Sequence, residues 1–176
     1  MRLILPLIAT SLLTLSACQN TDETSSSDMN FPLINSSGEN IGDITLRDAG
    51  EAGVTLFVEA ERIPTGPHGI HFHVKADCQT PDFKSAGGHI NPDGHQHGLK
   101  NPDGPDNADM PNAMADENQD VTYEFTNDRV TLRKHDSRPA LLDEDGSALM
   151  IHINADDQIT QPIGGAGARI ACSEIK

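Results

Sequence analysis

A chain of 176 residues has room for one ordinary domain and a short export segment, but not for two sizeable domains. Its formal net charge of −15 excludes nucleic acid and an anionic bilayer surface as direct partners, because like charge repels. With 36% hydrophobic residues, one Tyr, five Phe, no Trp, 15 Gly and 11 Pro, the core must come mainly from Val, Ile, Leu and Ala, carried on short strands and turns rather than long helices.

In chain order, Met1-Arg2 is a short basic start, Leu3 to Leu15 an apolar run, and Leu15-Ser16-Ala17-Cys18 its close. A run this short reads as a signal peptide over 1–17 rather than a membrane span. Leu-Ser-Ala-Cys resembles the bacterial lipobox, in which the Cys is acylated and becomes the mature N-terminus. The expectation is therefore a lipoprotein of the cell envelope, anchored to a membrane through Cys18; plain secretion with cleavage near Ala17 is the alternative. Residues 18–30, the lipidated Cys and a Ser/Thr/Asp-rich stretch without apolar periodicity, read as a flexible tether. Of three Cys, lipidation of Cys18 leaves Cys78 and Cys172, a pair that reads as a disulfide in an oxidising compartment.

From Phe31 onward the pattern is of short strands. Val54, Leu56 and Val58 alternate with Thr55, Phe57 and Glu59, as in a strand with one buried face. Further strands are expected at 69–75, 121–125, 129–133, 148–153 and 168–172. With no amphipathic helix and no internal repeat, this set predicts an all-β antiparallel sandwich or flattened barrel. Between Asp77 and Gln119 lies a long segment, rich in Gly and Pro, with almost no strand pattern. A loop of that length is uncommon unless functional or pinned. Cys78 can pin one end, and the three His and several Asp inside it point to a metal.

His71 and His73 form H-x-H on an expected strand, so both project to one face with Phe72 on the other. His89 and His97 sit in the long loop with Asp106 and Asp109 downstream, and His152 lies on a late strand. Any one of these alone reads as a surface or hydrogen-bonded His. An H-x-H strand together with a His/Asp-rich loop reads as a metal site.

The segment His68-Gly69-Ile70-His71-Phe72-His73 resembles the H-G-x-H-x-H strand of copper/zinc superoxide dismutases. Ser85 to Pro92 (SAGGHINP), with His97-Gly98 after it, looks like that family's bridging-His and zinc-loop segment. Asp109-Met110-Pro111-Asn112 is similar to its D-L-P-N stretch. Ile151-His152, Asp156-Asp157 and Gly164 to Cys172 (GGAGARIAC) resemble its last copper His, Asp pair and Arg-and-Cys terminus. The likeness spans about residues 31–176. It implies a Greek-key sandwich with long metal-binding loops, and a superoxide dismutase that disproportionates superoxide to dioxygen and hydrogen peroxide at a redox-cycling copper.

Carried over position by position, the resemblance implies copper ligands His71, His73, His89 and His152, a nitrogen set that suits copper. The zinc side would be His89, which bridges, with His97, Asp106 and Asp109. Asp156 would tie a copper His to a zinc His, and Cys78 and Cys172 match the family disulfide. Arg169 would attract the anion and hold it by the metal, while His89 would release copper and pass on a proton. His68 reads as structural and His135 as surface.

Asp106 departs from the family, which has a third zinc His there. A carboxylate oxygen can replace an Nδ1 donor because both lie equally many bonds from Cβ, and oxygen is an acceptable zinc donor. His95 is the other candidate to enter that site. Two rivals remain at this level: a copper-binding or copper-buffering lipoprotein without turnover, and a sandwich interaction module whose His are incidental.

Overall fold

A computed structural model describes residues 28–176; the export segment, Cys18 and most of the tether lie outside these residues. Nine strands form one sheet: β1 (Met29–Asn35), β2 (Asn40–Asp48), β3 (Val54–Ala60), β4 (Gly66–His68), β5 (Ile70–His73), β6 (Ala113–Ala115), β7 (Val121–Asn127), β8 (Ser147–His152) and β9 (Arg169–Ile175). β1 starts at Met29, two residues inside the stretch expected as tether. Among the described residues there is no α-helix, only the single 3-10 turns Gly50–Ala52 and Lys84–Ala86.

The strand order is β4-β6-β7-β3-β2-β1-β9-β8-β5, with every pairing antiparallel. β1, β2 and β3 follow one another as hairpins, but β3 then pairs with β7 and β1 with β9, the long-range returns expected of a Greek key. The two edge strands, β4 and β5, are separated in sequence by Gly69 alone. The sheet must therefore curl until its edges meet, giving the flattened, nearly closed barrel. At that seam Gly69 donates its N–H to the Asn154 carbonyl at 2.9 Å and accepts from the His152 N–H at 2.8 Å.

Strand alternation decides what fills the barrel. Val54, Leu56 and Val58 of β3 and Ile44 and Leu46 of β2 are fully buried, joined by Leu33, Ile70, Phe72, Leu149 and Ile151. β8 is buried along its whole length, because its second face carries another cluster: Ala148 and Met150 pack with Cys78, Phe83, Ala86 and Cys172. The Cys78–Cys172 disulfide, with a Cα–Cα distance of 5.9 Å, ties the start of the long loop to β9.

The strand expected at 129–133 does not form. Val130, Thr131 and Leu132 are buried in succession rather than alternately, and the segment keeps only one isolated bridge, Thr131 to Ala140. Val130 and Leu132 join the main core, and the backbone bonds briefly to residues 139–142. The long patternless segment is a loop as expected, except for the Lys84–Ala86 turn and the three-residue strand β6 near its end.

Candidate metal centre

β5 sets the centre. Ile70 and Phe72 enter the core, so His71 and His73 face the other way, where the loop covers them to 0% and 1% exposure. One edge of β5 pairs with β8. Along its free edge the loop docks by isolated bridges, His71 opposite Asp109 and His73 opposite His89, with Ile90 N–H donating to the Phe72 carbonyl at 3.1 Å and Val74 N–H to the Gly88 carbonyl at 3.1 Å. These contacts deliver two loop residues to the H-x-H face. β8 brings His152 from the other side.

The four imidazoles cluster. Ring centroids lie 4.3 Å apart for His71 and His89, 5.2 Å for His73 and His89, and 5.2 Å for His71 and His152. Each ring has one nitrogen engaged: His71 Nε2 with Asp156 Oδ2, His73 Nδ1 with the Gly87 carbonyl, His152 Nδ1 with the Gly167 carbonyl and His89 Nδ1 with Asp106 Oδ2, all at 2.9 Å. The opposite nitrogens, His71 Nδ1, His73 Nε2, His89 Nε2 and His152 Nε2, are buried with no partner. Burial, only partly offset by the Asp156 hydrogen bond, pushes His71 down to about 3. Burial likewise lowers His152 to about 4 and holds His73 well below the usual range. These rings are neutral donors.

A second cluster lies beside the first and shares His89. One donor atom each from His89, His97, Asp106 and Asp109 falls within 4.8 Å of the other three. His97 Nδ1 approaches Asp109 Oδ1 to 2.5 Å, unaligned for a hydrogen bond, and both atoms lack a partner. Asp156 joins the clusters, with Oδ2 on His71 Nε2 and Oδ1 on His97 Nε2 at 3.0 Å. Burial alone would raise the Asp156 carboxyl, but the hydrogen bonds from His71 and His97 outweigh it and hold it well below the carboxylate range. For His97, burial disfavours the cation, yet Asp109 and Asp156 outweigh burial and push its pKa up to about 10. His95 is exposed and stands outside the cluster; Asp106 occupies the place in question.

A cavity of about 490 Å³ opens onto His73, His89 and His152, with Arg169 in its wall. Arg169 is the only Lys or Arg among the described residues lining it. Its two terminal nitrogens donate to the Phe83 and Gly87 carbonyls at 2.6 Å each, so the disulfide-tied turn of the loop aims the guanidinium.

The sequence matches the copper/zinc superoxide dismutase (SODC) family over residues 40–175. The chain belongs to the copper/zinc superoxide dismutase family. It is 48% identical to the superoxide dismutase [Cu-Zn] of Caulobacter vibrioides over 79% of this chain and 80% of that protein. It is 40% identical to superoxide dismutase [Cu-Zn] 2 of Aquifex aeolicus over 96% of both. The crystal structure of a SOD-like protein from Bacillus subtilis superposes with a TM-score of 0.80 at 36% identity, covering 84% of this chain and 97% of that one. Membership makes the protein an oxidoreductase of the superoxide dismutase type, with copper and zinc as its family's cofactors.

The side chains fit those ions on their own evidence. Buried polar atoms without partners are rare in native proteins. Among the described residues seven are found; six belong to His71, His73, His89, His97, His152 and Asp109, and all face the two clusters. The supporting polar residues of this dismutase were not foreseen from sequence. Asn112 grips Asp156, accepting its N–H at 2.9 Å and donating to its carbonyl at 2.8 Å. Gln161 does the same for His97, at 3.0 and 2.8 Å. Arg129 reaches the carbonyls of Asp106 and Asp109. His68, read as structural, bonds the His152 carbonyl at 2.7 Å, and His135 is exposed near Asp136.

Proposed function

We propose that this chain disproportionates superoxide at a copper held by His71, His73, His89 and His152, beside a zinc held by His89, His97, Asp106 and Asp109. The observation that carries the reading is the set of buried, unpartnered nitrogens converging from β5, β8 and the loop. A nitrogen-rich set suits copper, and the mixed nitrogen and carboxylate set suits zinc. A copper held by these four rings would supply the one-electron redox chemistry that disproportionation needs.

The protein's part is binding, orientation and proton handling. Arg169, fixed by two carbonyls, attracts the anion and holds it in the cavity; its charge is local, against a net charge of −15. His89 has Nδ1 turned to Asp106 and Nε2 turned to the neighbouring rings, so Nε2 is the atom that carries a proton toward the cavity. Asp156 fixes the ring planes of His71 and His97 at once, as an outer carboxylate does for metal-bound His. The N-terminal pattern ending at Cys18 supports a lipid-anchored protein of the cell envelope, where superoxide would be met outside the cytoplasm.

Stripped protein, reconstituted with copper alone and with copper plus zinc, should show dismutase turnover with copper and a gain with zinc. Tight stoichiometric copper with no turnover would reject the enzyme and leave the copper-buffering lipoprotein. Mass spectrometry of the mature protein should show a diacylated or triacylated Cys18; an unmodified N-terminus rejects the anchor.

A further inference from the structure

We infer that Arg129 is a positioning residue for the second metal site, clamping the turn that presents both of its carboxylates. The inference rests on the reading that His89, His97, Asp106 and Asp109 hold an ion. Arg129 lies two residues past the end of β7, and its side chain is mostly buried. Nε donates to the Asp106 carbonyl at 3.1 Å and Nη2 donates to the Asp109 carbonyl. One guanidinium therefore holds the first and last residues of a four-residue turn, each of which carries a ligand carboxylate.

The anchor of that clamp is rigid. Arg129 N–H donates to Asn127 Oδ1 at 2.9 Å, and the Arg129 carbonyl accepts from Asn107 Nδ2 at 2.9 Å. Asn127 Nδ2 donates in turn to the Asn107 carbonyl at 2.9 Å. The turn is thus fastened to the barrel at its middle by two Asn and at both ends by Arg129.

The contacts are to carbonyls, which leaves the carboxylates free for an ion. Asp109 Oδ2 accepts from Gly98 N–H at 2.7 Å and Asp106 N–H at 2.9 Å, and Asp106 Oδ1 accepts from Ala108 N–H at 2.9 Å. Each residue then has one oxygen left, and these point to His97 and His89. Two carboxylates aimed at one point repel, so a turn held only by its own hydrogen bonds would relax outward. A planar fork spans two acceptors at once, whereas a Lys ammonium is a single point charge on a flexible stem.

The test uses Co(II), a spectroscopic stand-in for zinc, added to copper-loaded full-length protein so that the four-His site is already filled. Arg129→Met and Arg129→Lys are compared with wild type for Co(II) affinity, its visible spectrum and Cu(II) affinity. Wild type should take up one Co(II) with a defined visible band. Arg129→Met should loosen Co(II) by roughly 10–100-fold, the usual cost of losing an outer support, and alter the band while Cu(II) affinity stays unchanged. Arg129→Lys should fall between them. Wild-type Co(II) affinity and spectrum in Arg129→Met overturn the inference; so does equal loss of both ions, which marks general structural support. Should Arg129→Met not fold, Arg129→Lys is judged by the same two criteria. A wild-type protein that takes up neither Co(II) nor zinc rejects the second site itself, and Arg129's role with it.

Discussion

Arg169 is the cavity's only Lys or Arg among the described residues, and its orientation depends on two carbonyls of the loop rather than on a carboxylate. Its charge is therefore not neutralised by an ion pair, and it is free to act on an anion. Arg169→Ala should lower kcat/KM for superoxide by about tenfold or more, at the low end of what focused charge gives an association rate, and should flatten its dependence on ionic strength. Arg169→Lys should recover only part, since an ammonium cannot span both carbonyls. Kinetics unchanged in both variants across a salt series would remove Arg169 from the reaction. Ser173 gives a stability counterpart. On β9 it shares the core face with Ala171 and Ile175, and its hydroxyl is buried without a partner. Among the described residues six of the seven such atoms face the two His and Asp clusters; Ser173 Oγ does not. Ser173→Ala should raise unfolding free energy by about 1 kcal/mol, the scale of an unsatisfied buried polar group, read as a higher denaturant midpoint at unchanged slope. A lower midpoint would show that the hydroxyl has a use.

The long loop has almost no regular structure, and its order comes from a few fasteners: the disulfide at Cys78, the bridges to β5, and the polar grips of Gln161, Asn112 and Arg129. Cys78 and Cys172 are separated by 94 positions, so the cross-link removes roughly 4–5 kcal/mol of unfolded-chain entropy in the loop-closure account. Replacing both by Ser should cost stability on that scale. It should also lower kcat/KM, because Phe83, whose carbonyl holds Arg169, packs in the same cluster as the disulfide. A variant that loses stability but keeps full kcat/KM would separate the disulfide from the aim of Arg169. The fasteners also explain what could be read in advance. β3, β5, β7, β8 and β9 announce themselves by alternation or β-branched runs, and the His and Asp donors by their spacing. β4 and β6 are three residues each, Gly-Pro-His and Ala-Met-Ala, too short for any period to show. The 129–133 segment has strand-like residues, yet it makes only a brief backbone pairing, with Pro139, Leu141 and Leu142, and never a ladder. Asn112, Gln161 and Arg129 bond mainly to backbone atoms, and such contacts leave no pattern in sequence.

At the scale of the whole molecule, the centre sets how stability responds to pH, and the sign depends on the metals. In metal-free protein His71 titrates at about 3 and His152 at about 4, with His73 also well below normal, all driven by burial. Unfolded, these rings take up protons near pH 6.5. Between that pH and their folded values the unfolded chain binds more protons, so stability falls as pH drops. The lowered carboxyls of Asp109 and Asp156 act in the same direction at lower pH, giving stability that is lost as pH falls below about 4. His97 runs the other way: burial opposes its cation, but Asp109 and Asp156 prevail and raise it to about 10. Its contribution is complete below about pH 6.5 and disappears as pH rises through the folded value. Metal-free protein should therefore melt highest near neutral pH and lower on both sides. The neutral rings have no proton to give up, whereas an ion bound at His97 would displace the proton held there, so loading should release it. The loaded protein should melt higher throughout, by an amount that grows with metal concentration, and its alkaline decline should vanish. Its acid decline should steepen, as protons compete for the ligands. Melting temperatures at about pH 5, 6.5 and 9, with and without copper and zinc, give the comparison. A metal-free profile flat across that range would mean that the buried rings are not the neutral donors their surroundings dictate; an alkaline decline that persists after zinc loading would mean that His97 keeps its proton and is not a ligand.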